Sequence, residues 1–269
     1  MAVTETLKSA SNSVTSFFSK TLSVAEMEVR KLRHDPTELI TRAVQPALWL
    51  LVFGEVMAAV HVIPTGNLPY LSFMAPGILA QSVLFIAIFY GIAVIWERDL
   101  GILHKFLVSP TPREALVLGK ALSAGVRALS QVAIIYVLAL LIGVGINLNP
   151  INLTLVVIVA ILASALFSTF SLIIASLVKT RERFMGIGQI LTMPLFFASS
   201  AIYPISMMPN WLQAVAKVNP LTYAVDAMRG LMVVGGSSIY GVGVDIAVLL
   251  ATVVVLVIIG ARLYPRSVT

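Results

Sequence analysis

Cysteine is absent from all 269 residues. That excludes a disulfide framework and a thiolate metal site. Histidine is scarce too: His34, His61 and His104 stand far apart and form no local metal-ligand pattern. Asp, Glu, Lys and Arg make up 11% of the chain, against about 25% in ordinary soluble domains. No phosphate-binding loop occurs. Gly119-Lys120 comes nearest, but Glu114 stands where the first glycine belongs and Ala121 follows the lysine, which excludes ATP hydrolysis by that loop. A zinc-protease pattern and a nucleophile elbow are also missing. Charges within the apolar runs are too few for a proton relay of paired carboxylates.

What is present is apolar. Hydrophobic residues make up 59% of the chain and the mean hydropathy is +0.99. This composition predicts an all-α polytopic membrane protein with the lipid bilayer as its solvent. The net charge of +6 fits basic cytosolic flanks better than a nucleic-acid partner. The apolar runs place six transmembrane helices at 43–60, 71–95, 115–146, 153–178, 185–203 and 242–263, in one membrane domain covering 21–264. Residues 1–20 are rich in Ser and Thr, lack an apolar core of signal-peptide length, and are expected to form a disordered cytosolic tail. In 21–34, Leu22, Ala25, Val29 and Leu32 share one helical face. A soluble surface helix has the same pattern, but a span begins soon afterwards, which favours an interfacial helix.

Polar residues inside the spans are the informative ones. Glu55 is compatible with a functional role and equally with a plain position near the outer boundary. Gln81 is expected to face another helix. Span three is longer than a bilayer requires, so its first turns are expected to project into the cytosol. Arg127 would then snorkel to the inner headgroups, the alternative being an intramembrane ion pair. Pro76-Gly77 predicts a kink, and Ser164, Ala165, Ser168, Ser171, Ala175 and Ser176 predict close helix packing in span four. Asp245 is expected to be solvated at the outer mouth of the last span.

Residues 204–241 are too long for a plain loop and too polar for a regular span. They predict a helical hairpin dipping re-entrantly into the outer leaflet. Asn210 would cap a helix at 211–218, Asn219-Pro220 would break it, and Thr222 would cap a second helix at 223–229. Asp226 and Arg229 stand i, i+3 for pairing. Tyr203, Trp211, Tyr223 and Tyr240 suit an interface.

Charge of both signs gathers abruptly in ERDLGILHKFLVSPTPREALVLGK, from Glu97 to Lys120. Leu100, Leu103, Phe106 and Leu107 recur there at helical spacing, and Pro110 and Pro112 stop the helix. The pattern fits a docking surface and, equally, a helical loop lying on lipid headgroups.

Asn219-Pro220-Leu221-Thr222-Tyr223, followed by Asp226 and Arg229, resembles the signature of type-2 ABC transporter permeases, the drug-resistance and polysaccharide exporters. Glu97-Arg98, Gly101, Leu107, Ser109-Pro110 and Gly119-Lys120 resemble that family's first cytoplasmic loop. The layout from Thr21 to Arg262 agrees, and the short apolar form is more similar to multidrug and antibiotic-resistance permeases.

The resemblance implies a permease subunit of an ATP-driven exporter in the cell membrane. Its substrate would be hydrophobic or amphipathic: a drug, an antibiotic or a lipid-like molecule. The chain would not itself be an enzyme and would hold no cofactor, ATP and magnesium belonging to a separate ABC ATPase subunit. Two permeases would join two ATPases. A homodimer is expected, with the path between protomers near spans one, two and five and Glu55, Gln81 and Gln189 available to line it. The stretch 97–113 would be the coupling helix, with Leu103, Phe106 and Leu107 as anchors and Glu97, Arg98 and Lys105 as the rim. Gly101 would admit the partner's backbone. Two other readings stay open. A secondary transporter should show internal repeats and broken central helices, which Pro76 and Pro194 only faintly mimic. A membrane assembly factor would have no ATPase encoded beside it.

Lys and Arg orient the spans. The N-terminal tail holds six, the stretch from Glu97 to Lys120 four, Lys179 to Arg183 three and the C-terminus two. Those fifteen face Lys217 and Arg229 on the other side, which predicts cytosolic termini. Cysteines introduced at Asn67, Asn149 and Ser237 are expected to react with an impermeant reagent in intact cells. Labelling of Lys105→Cys in place of these three would invert the topology.

Overall fold

The computed structural model describes residues 44–100, 113–178 and 180–263, together with Glu26, which is helical and exposed. The rest of the expected interfacial helix, the tail at 1–20 and the coupling segment at 101–112 lie outside the described residues. The described residues form helices, with a single isolated bridge between Ile146 and Val233.

Helix α1 covers Val44–Val60, and its centre, Trp49–Gly54, is π-helical. His61 ends it in the left-handed region at φ 53°. Helix α2, Tyr70–Asp99, runs for 30 residues, about 45 Å at 1.5 Å per residue. Pro76 lies inside α2 without ending it. Gly77 has a packing reason: a Cβ there would lie 2.6 Å from the Cα of Ala201, so only glycine lets the turn after α5 press against α2.

Helix α3, Arg113–Leu141, stops short of the expected 146. Gly143, at φ 77°, turns the chain. The Asn147 N–H then donates to the Met232 carbonyl at 2.8 Å, clipping this turn to the hairpin. Helix α4, Pro150–Leu177, starts where Asn149 accepts the Ile151 N–H at 2.9 Å and Pro150 takes the first turn. Its small residues are buried as expected. Ser171 accepts the Gly91 N–H at 3.1 Å and donates to the Ile88 carbonyl, so α2 and α4 meet backbone to side chain.

Helix α5, Arg181–Phe197, begins and ends earlier than the expected 185–203. Thr180 caps its start, and Ala198–Tyr203 turns instead of continuing the helix. After a 3-10 turn at Ile205–Met207 come α6 (Asn210–Val218), α7 (Pro220–Met232) and α8 (Val242–Leu263). The last matches its expected bounds.

The core is built on α2, α4 and α7, whose residues are largely buried. Among the described residues four helices are long and apolar enough to cross a membrane: α2, α3, α4 and α8. α5 has 17 residues, about 25 Å against a hydrocarbon core of about 30 Å. Leu250, Val254, Val255 and Ile258 on α8 are exposed, a surface that suits lipid.

Candidate functional site

Three polar assemblies interrupt this apolar bundle. The first joins α2, α3 and the α4–α5 turn at the end where the Arg residues gather. Lys120 Nζ lies 2.6 Å from Glu97 Oε2, with the lysine 1% and the glutamate 5% exposed. Arg98 Nη1 donates to the Val178 carbonyl at 3.1 Å. Arg181 Nη2 donates to Asp99 Oδ2 at 2.7 Å, and its guanidinium stacks 3.5 Å from the centre of the Trp96 ring. The exposed Asp99 and Arg181 contact is worth at most about 1 kcal/mol. The buried pair matters more, since removing one member leaves a charge stranded at about 3–5 kcal/mol.

The second assembly holds α6 and α7 at the opposite end. Asn219 serves two helix termini at once. Its Oδ1 accepts the Leu221 N–H at 3.0 Å, capping α7, while its Nδ2 donates to the carbonyls of Leu195 at 2.7 Å and Ala198 at 3.2 Å, closing α5. Asn219 therefore takes the role expected of Thr222, whose hydroxyl is buried with no hydrogen-bond partner among the described residues. Likewise Pro209, not Asn210, stands at the start of α6, with no side-chain cap.

Arg229 is 4% exposed and reaches three groups: the Phe73 carbonyl at 3.3 Å, the Ser200 hydroxyl at 3.4 Å and the Ser200 carbonyl. Its guanidinium also lies 3.8 Å from the centre of the Phe73 ring. Asp226 faces elsewhere, Oδ2 accepting from Ser238 Oγ at 2.9 Å, Ile239 N at 2.8 Å and Tyr240 N at 3.0 Å. Among the described residues no ion pair joins Asp226 to Arg229, contrary to the i, i+3 expectation. Asp245 corrects another expectation. It is fully buried, and its Oδ2 lies 2.8 Å from Ser238 Oγ. A serine hydroxyl carries one proton, so Ser238 donates to only one of these two carboxylates at a time. Burial raises the nearby Tyr240 phenol above its usual range, and Tyr223, Asp226 and Asp245 add to the rise.

The third assembly is a cavity of about 600 Å³ between α1, α2 and α3, lined by Gln45, Gln81, Phe85, Tyr90, Trp96 and Arg127 among others. Arg127 has no ion pair among the described residues, contrary to one earlier alternative; it is buried in the cavity wall with its guanidinium 4.6 Å from the centre of the Tyr90 ring.

Residues 20–233 match the model of the ABC-2 type transporter family. The chain belongs to that family. Its relatives agree. It is 30% identical over 226 residues to a protein of Cyanophora paradoxa named as the transport permease ycf38, covering 82% of this chain and 77% of the other. It is 28% identical over 250 residues to the daunorubicin resistance ABC transporter permease protein DrrB1 of Streptomyces coeruleorubidus, covering 91% and 86%. The doxorubicin resistance ABC transporter permease protein DrrC named in Mycobacterium tuberculosis is 24% identical over 233 residues, covering 85% and 82%. The chain is therefore a multi-pass membrane permease of an ABC transporter, and no catalytic family is indicated.

The residues quoted for the ABC-2 resemblance now have positions. Asn219, Pro220, Tyr223, Asp226 and Arg229 lie together in the hairpin, with Tyr223 5.1 Å from Tyr240, ring centre to ring centre. Glu97 is buried, so it does not form the exposed rim expected of it, and Arg98 is part-buried beside it. Gly101, Leu103, Lys105, Phe106 and Leu107 lie outside the described residues. Gln81 is buried in the cavity wall, whereas Glu55 and Gln189 are exposed on α1 and α5. Sequence reasoning missed Lys120 as the partner of Glu97, Asn219 as the double cap, and Ser200 and Ser238 as partners of the hairpin charges. Only Asn219 carried a signal, in the Asn-Pro that opens α7.

The separate partners of Asp226 and Arg229 give a test. Arg229→Ala and Asp226→Ala are each expected to lower thermal stability by about 3 kcal/mol, and the double variant to be less stable than either single one. Rescue of Arg229→Ala by Asp226→Ala would show that the two act as a pair.

Proposed function

We propose that this chain is the permease subunit of an ATP-driven exporter that moves a hydrophobic or amphipathic substrate out of the cytoplasm. A separate ABC ATPase would bind ATP and magnesium and supply the energy. In this reading α1 and α5 complete six spans beside α2, α3, α4 and α8, both termini face the cytosol, and α6 with α7 forms an outer re-entrant hairpin. The names of the daunorubicin- and doxorubicin-resistance relatives support the substrate class.

One observation carries the coupling mechanism. Glu97 lies in the last turn of α2 and Lys120 lies in α3, so their buried contact joins the two helices that flank the stretch 97–113. A push on that stretch reaches both helices together, and the Asp99 contact with Arg181 extends it to α5. Leu103, Phe106 and Leu107 are the proposed docking anchors, with Arg98 and Lys105 at the edge and Gly101 admitting close approach. Glu97 acts from inside, as a strut.

A homodimer completes the assembly. Glu55 on α1 and Gln189 on α5 are exposed among exposed apolar neighbours such as Val52, Val56 and Ile190. A carboxylate or amide left against lipid is costly, so a second copy covering these faces relieves both and places them near the path.

The test reconstitutes the chain with its ATPase in proteoliposomes. Phe106→Ala with Leu103→Ala is expected to insert and dimerise normally, weaken ATPase docking by about 2 kcal/mol or more, and lose substrate-stimulated hydrolysis and export together. Unchanged docking and export would make 97–113 a headgroup-bound loop and refute this coupling mechanism.

A further inference from the structure

Arg127 sits seven residues beyond Lys120 on α3, two helical turns, or about 10 Å deeper in the bundle than the pair with Glu97. It is 9% exposed, and its Nε and Nη1 are buried with no hydrogen-bond partner among the described residues. Gln81 lines the same cavity at 2% exposure, and both its amide atoms also lack partners among the described residues. A buried guanidinium with unmade donors costs several kcal/mol, and a buried amide adds to that. Elsewhere in this bundle the buried cations are satisfied: Lys120 by Glu97, Arg229 by Phe73 and Ser200. The exception opens onto a cavity of about 600 Å³, within the range of about 300–1,000 Å³ typical of ligand pockets.

The rest of the wall is apolar and aromatic. Phe85, Ile86, Phe89 and Ile92 come from α2, and Trp96 stands toward its charged end. Gln81 and Trp96 are fifteen residues apart, so the slot follows about 22 Å of α2. A planar guanidinium fork in an apolar slot fits a carboxylate or phosphate on a greasy body, because each oxygen meets an N–H and the body meets the rings.

We propose that this cavity binds an amphipathic anion, its carboxylate or phosphate held by Arg127 and its apolar body lying against Phe85 and Phe89, with Gln81 reading a polar substituent. The binding stands on its own geometry. That the bound molecule is exported rests on the permease reading. Such an anion has two sources, a free amphiphile or an anionic membrane lipid, and the chemistry at Arg127 is the same for both.

Trp96 supplies the readout. The full chain in discs of zwitterionic lipid is titrated with a dibrominated stearate and with a dibrominated alkylamine of equal tail length, each a quencher of nearby tryptophan. Saturable quenching by the stearate is expected, lost in Trp96→Phe and about tenfold tighter than for the amine. Arg127→Gln is expected to weaken the stearate by about tenfold, and Arg127→Lys to recover part of that loss. A dibrominated phosphatidic acid placed in the disc separates the sources: saturable quenching by it assigns a membrane lipid, and quenching by stearate alone assigns a free amphiphile. Equal affinity for stearate and amine overturns the proposal. So does stearate binding unchanged by Arg127→Gln. Should Arg127→Gln fail to fold, the headgroup preference of the unaltered chain decides by itself. Saturable binding without ATP-dependent release would contradict export while leaving the site intact.

Discussion

Glu97 and Lys120 place two charges where water does not reach, and taking each from water costs several kcal/mol. Close contact at 2.6 Å between α2 and α3 offsets that cost only while the two helices keep their register. The same constraint governs the rest of the bundle. A low-dielectric interior penalises a polar group that nothing meets, so a buried polar side chain that finds a partner on another segment fixes the relationship between the two. At one end Glu97 ties α2 to α3. At the other, Arg229 ties α7 to α2 and to the turn after α5, and Asn219 closes two helix termini with one amide.

This constraint separates structural polarity from the kind that awaits something. The hairpin charges are answered mainly by backbone groups, which suits a rigid element. Glu97 and Lys120 answer each other across the two helices that flank the stretch 97–113, which suits transmission of force. Arg127 and Gln81 retain buried atoms without partners and face a cavity, which suits a ligand.

Much of the fold was legible because hydrocarbon imposes simple rules. The last span, 242–263, was bounded by Tyr240-Gly241 before it and Tyr264-Pro265-Arg266 after it, and the small-residue stripe of α4 announced its close packing. Boundaries failed where a single cap decided them. Thr180 starts α5 early, and Asn219 outcompetes Thr222 because Pro220 already fits the first helical turn. Pairings failed for a different reason. The i, i+3 rule sees one helix surface, whereas Asp226 and Arg229 both point off α7 toward different segments. The partner of Glu97 stands 23 residues away on an antiparallel helix, where spacing along the chain carries no signal. The burial of Arg127 against Tyr90 was not legible because helix length reports how far a span reaches, not which neighbour covers a given side chain.

The central claim is that the buried Glu97 and Lys120 contact makes α2 and α3 respond as one body to the ATPase. The most direct measurement is the number of substrate molecules exported per ATP hydrolysed, in proteoliposomes normalised to folded permease. Glu97→Gln and Lys120→Met should each lower that ratio several-fold, and the exchange Glu97→Lys with Lys120→Glu should restore most of it. Single variants that fold and keep the full ratio would show that this contact holds the bundle together without transmitting anything through it.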